Sequence, residues 1–182
     1  MHMKLKPVKK TTFLEAVAAA IQHEKEVFEF YAKNAESLPA GPIKDLYYQL
    51  AEDVDDHIKM IGDLYSQVKG GELLPNLKMA SEVNKFNTTS LQILMRRLDR
   101  NLKSTAKGDE MEALRLAAQE HEDASDFYKK MAEKFEDPNI KFLFRALANF
   151  QDENRMLLES YSTYVAQGTP ATQTAAYWDE EN

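Results

Sequence analysis

Cysteine is absent from the 182 residues, which removes disulfides, thiolate metal sites and thiol nucleophiles in one step. Glycine and proline are scarce, at six each, and they cluster where helices should end. No apolar run approaches the roughly 18 residues of a membrane span. Positive charge is in deficit: 23 Lys and Arg stand against 30 Asp and Glu, a formal net charge of −7. That balance argues against nucleic acid and against an anionic membrane surface as partner. The opening stretch MHMKLKPVKK is basic, but no apolar segment follows it, so no signal peptide is expected and the cytoplasm is the expected compartment. What remains is 43% apolar and 29% charged, the balance of a folded globular chain long enough for one domain with a real core.

Periodicity and punctuation divide that domain into helices. Thr12-Phe13-Leu14-Glu15 reads as a capping box opening a first helix to about Glu36. Gly41-Pro42 opens a second, closed by Gly70-Gly71. A third starts near Asp109, and Asp137-Pro138 starts a fourth that Gly168 ends. Each carries an apolar stripe at helical spacing, such as Val17, Ile21, Phe28 and Tyr31, or Leu50, Val54, Ile61 and Val68. Short connections make each consecutive pair an antiparallel hairpin. The expected layout is a tail over 1–10, a bundle over 11–168 and a second tail over 169–182 that carries Trp178, the single tryptophan. Within the bundle the hairpins span 11–69 and 109–168, joined by a crossover over 70–108. Thr89 to Lys103 in that crossover places Leu91, Leu94, Leu98 and Leu102 on one face, which predicts a short amphipathic helix.

The halves repeat without gaps. A shift of 97 positions lays Phe30-Tyr31 on Phe127-Tyr128, Ile43-Lys44 on Ile140-Lys141, Leu50-Ala51 on Leu147-Ala148 and Val68 on Val165. Two copies of a helical hairpin joined by a long crossover give an all-α, ferritin-like four-helix bundle.

Each apolar stripe is interrupted near mid-length by a polar residue: Glu24, His57, His121, and Gln151 with Asn154. The same shift pairs Glu24 with His121, Val54 with Gln151 and His57 with Asn154. Burial of unpartnered polar groups costs several kcal/mol, roughly 2–7 each, so these side chains are expected to converge and satisfy one another or bind something.

The run E-x-x-V-x-x-F-Y from Glu24 to Tyr31, followed by I-K-x-L-Y-x-x-L-A and a downstream histidine, resembles the rubrerythrin-like branch of the ferritin-like superfamily. The resemblance covers roughly 11–68 and 108–165. It implies a centre of two iron ions that react with peroxide or oxygen, held by a glutamate from the first and third helices and E-x-x-H from the second and fourth. Residue by residue, Glu24 matches the first-helix ligand and His57 the second-helix histidine. The other positions depart from the pattern: Val54, His121 and Gln151 stand where glutamates are expected, and Asn154 where a histidine is. The four-cysteine iron domain of rubrerythrins proper is not encoded in these residues.

Three functions follow as expectations. The first is a bundle that has lost most of its di-iron ligands, binds no cofactor and serves as a structural or partner-binding protein. The second is a metal-binding oxidoreductase with one Fe or Zn ion at Glu24, His57 and His121, a ligand set suited to either. The third is iron storage. A homodimer or higher homo-oligomer is expected, with any other protein partner unknown. The acidic residues flanking the histidines (Glu52, Asp53, Asp55 and Asp56; Glu120, Glu122 and Asp123) are expected on solvated faces, and His23 on the surface. Asp53 with His57, at i and i+4, is the weaker relocated metal pair. Tyr31, Tyr47 and Tyr128 are expected as core or interface aromatics.

Overall fold

The computed structural model describes residues 7–72, 90–99 and 109–166. After a single 3-10 turn at Val8–Lys10 come α1 (Phe13–Ser37), α2 (Pro42–Val68), α3 (Ser90–Asp99), α4 (Glu110–Lys134) and α5 (Pro138–Ala166), with no strand among the described residues. The fold is the expected ferritin-like bundle. α1 packs on α2 and α4 on α5 as two hairpins, with α3 laid against α1.

The helix starts are chemically specified. Thr12 Oγ1 accepts from the Glu15 backbone N–H at 3.2 Å, and Asp109 Oδ1 accepts from Glu112 N–H at the same distance. Asp137 Oδ1 accepts from Asn139 N–H at 2.8 Å ahead of Pro138. α2 stops where Gly70 and Gly71 take φ of 66° and 98°, a backbone that side-chain-bearing residues adopt only with strain. The expected stop at Gly168, the Trp178 segment and the crossover outside α3, including Leu102, lie outside the described residues.

Two apolar clusters fill the interior. One gathers Phe13, Ala16, Val17 and Ala20 with Leu91 and Met95 of α3, Tyr65, Tyr128, Phe144 and Leu147. The other gathers Phe30, Tyr31, Tyr47, Leu50, Val54, Leu114 and Leu158. Each fully buried Leu or Phe contributes about 1.5–3 kcal/mol. The repeat is visible in the packing: Tyr31 and Tyr128 are both buried, as are Tyr47 and Phe144, its partner under the same shift. Between the clusters lies a polar layer.

α1 departs from the single stripe expected of it. Ala16, Ala18, Ala19, Ala20, Val17 and Ile21 are all buried, so the helix is covered on nearly every side. The cause is α3, whose Leu91, Met95 and Leu98 bury against it. Small side chains there let a second helix approach closely, and α1 becomes central rather than half-exposed.

Candidate functional site in the polar layer

Glu24 and His121 occupy repeat-related positions at the middle of α1 and α4, both buried. They are satisfied differently. His57 of α2 donates from Nδ1 to Glu24 Oε2 at 3.2 Å, and its ring stacks on Phe150 with centroids 4.3 Å apart. Burial alone would lower the His57 pKa, but the hydrogen bond and charge of Glu24, aided by Asp53 and Asp56, hold it above the ordinary histidine value.

His121 is tied at both ring nitrogens. Nδ1 meets Gln151 Oε1 at 2.5 Å, and Nε2 meets the Tyr31 hydroxyl. The amide oxygen can only accept, so Nδ1 carries the proton and Nε2 accepts from Tyr31. One neutral tautomer satisfies the whole chain of bonds. Burial pushes the His121 pKa down to about 4 against the weaker opposing pull of Gln151, consistent with that neutral ring.

Of the residues expected to converge, Glu24 with His57 and His121 with Gln151 therefore form two pairs. Asn154 is half-buried and takes no part in these bonds, and Val54 is an apolar core residue with 2% exposure. Among the described residues no three His, Asp or Glu side chains gather in an arrangement that could hold a metal ion. Asp53, the candidate for a relocated pair, is half-buried, and the His57 Nδ1 it would complement is turned to Glu24.

Two expectations are corrected. His23 is not on the surface: it is buried, with Nδ1 2.5 Å from Asp99 Oδ1 of α3. Burial lowers its pKa, but the Asp99 bond and charge, with Glu24 and Glu120, raise it more. Glu120 is not solvated either. It is buried with neither carboxylate oxygen partnered, and burial raises its pKa to about 7. The other flanking acids are exposed or half-buried. α3 covers the side of α1 that carries Ala16, Ala20 and His23, which a count of one apolar stripe does not anticipate. For Glu120 a signal was available. Glu120 shares an i, i+4, i+8 row with Ala124 and Tyr128.

A family model described as Rubrerythrin matches residues 13–155. The chain belongs to the Rubrerythrin family. No curated protein matches it. Among solved structures it is similar to a hypothetical protein from Pyrococcus furiosus, at 22% identity and a TM-score of 0.51, over 90% of this chain and 98% of that one. That likeness is one of fold. Within the rubrerythrin frame, the polar layer lies where the four long helices bring their mid-points together. None of the helices among the described residues is long and apolar enough to cross a membrane.

Proposed function

We propose that this Rubrerythrin-family chain is a structural or partner-binding bundle whose di-iron site has lost most of its ligands, and that it is not a di-iron oxidase or peroxidase. The strongest support is His121, whose two ring nitrogens are committed to Tyr31 and Gln151, leaving no lone pair for a metal. Val54 adds to it: an apolar side chain stands where the resemblance places a bridging glutamate. Two divalent ions about 4 Å apart repel by roughly 15–20 kcal/mol at an effective dielectric near 20, and bridging carboxylates normally offset this. Val54 and Gln151 occupy the two bridging positions, and Glu24 is the one carboxylate left at the family's ligand positions. The residues present do not fit a pair of irons.

The experiment is elemental analysis of protein purified without a nickel column or chelator, with peroxidase and ferroxidase assays alongside. Less than stoichiometric iron and no turnover are expected. Tight binding near two irons per chain, abolished by Glu24→Ala, would sink the proposal.

The Glu24–His57 contact favours a second reading, one Fe or Zn ion at Glu24, His57 and His121. It requires His121 to surrender Tyr31 or Gln151. His57→Ala and His121→Ala must both lower metal content for it to stand.

A further inference from the structure

Away from the polar layer, α2 and α5 form a notch at the surface that is lined only by apolar side chains, among them Met60, Ile61, Leu64, Phe142, Leu143 and Phe150. Its volume is about 60 Å³. Clefts that hold small molecules run to roughly 300–1,000 Å³, so this one suits a single side chain and not a ligand. Phe142 and Met60, one from each helix, stand at its rim and are more than half exposed. Burying either side chain fully contributes about 1.5–3 kcal/mol, which both forgo unless a partner covers them.

The two walls of the notch carry opposite charge. On α2, 52–63 holds Glu52, Asp53, Asp55, Asp56 and Asp63 against Lys59 alone. On α5, 138–150 holds Lys141 and Arg145 and no acid. Asp63 and Arg145 follow the rim residues Met60 and Phe142 by three positions, so both flank the notch, and both are exposed. Neither takes part in an ion pair among the described residues. An acidic wall beside a basic one is complementary to itself after a half-turn. A two-fold axis along the notch lays α2 of one copy on α5 of the next. The other two-fold, across the helices, would set α2 on α2 and oppose like charges.

We propose that this α2–α5 face docks a second copy of the chain about a two-fold axis. Phe142 and Met60 of each copy close over the notch of the other, and Asp63 faces Arg145 of the partner subunit. The symmetry buries both exposed side chains twice, and the charges at the rim set register more than strength. None of the family's ligand positions lines the notch. The docking surface therefore stands or falls apart from the loss of the di-iron ligands.

The test is sedimentation equilibrium of the full chain across a micromolar concentration range, with metal content and turnover read separately on the same preparation. A dimer is expected. Phe142→Asp should weaken association roughly a hundredfold. Asp63→Lys and Arg145→Glu should each weaken it about tenfold, and the double variant should restore it, which excludes misfolding as the cause of either loss. A monomer at every concentration overturns the proposal, as does a dimer that Phe142→Asp leaves intact. Asp63→Lys without effect would remove the charge pairing, and tighter association in that variant would mark α2 laid on α2. A chain that dimerises only after 167–182 is deleted would assign the notch to its own C-terminal segment instead.

Discussion

At the scale of single residues, the polar layer is governed by how completely each buried group is satisfied. Tyr31→Phe removes the donor that His121 Nε2 has among the described residues and leaves a buried acceptor bare. It should destabilise the protein by about 1–3 kcal/mol in urea unfolding. Glu120 gives a pH signature. Its folded pKa of about 7 lies above the unfolded value of 4.5, so its contribution to stability is fully present below pH 4.5 and is lost as pH rises through 7. Glu120→Gln should therefore raise stability at pH 8, by at most about 3 kcal/mol, and change it little near pH 4. An equal gain at both pH values would contradict the assignment. The sequence identified Glu24, His57, His121 and Gln151 because each interrupts an apolar stripe. It could not identify the bond partners, since which nitrogen meets which oxygen depends on rotamers and inter-helix distances that periodicity does not encode.

At the scale of elements, the helix starts were legible because Thr12, Asp109 and Asp137 perform a local task that needs no tertiary context. The exposure of α1 was not. A stripe count assumes one covered face, and α3 provides a second cover from a distant part of the chain. That cover explains both His23 and the run of buried alanines. Leu91, fully buried in α3, should cost about 2–5 kcal/mol on change to Ala. Asp99→Asn should leave helix content intact by circular dichroism while speeding amide exchange in the first half of α1. Unchanged exchange there would show that the Asp99–His23 bond does not hold α3 in place.

At the scale of the whole molecule, duplication supplies the frame and divergence breaks its symmetry. Glu24 is bonded from the histidine position of α2, whereas His121 is bonded from the Gln151 position of α5, which corresponds to Val54. Two hairpins with matched cores therefore carry mismatched centres, and the repeat showed both: the shared apolar positions, and the unlike pairs Glu24/His121, Val54/Gln151 and His57/Asn154. The surface also differs from the interior in one respect: Phe142 and Met60 remain 60% and 52% exposed beside a groove between α2 and α5. A homodimer or higher oligomer is proposed, and sedimentation equilibrium checks it. Phe142→Asp should shift any such assembly toward monomer. One further consequence concerns reagents rather than stability. Of the three core histidines, only the His57 side chain retains appreciable solvent exposure, 14%, at the edge of its stack on Phe150. An acylating reagent at pH 8 should modify His57 first and leave His23 and His121 protected until the bundle opens, so labelling order would time the unfolding of the core from outside to inside.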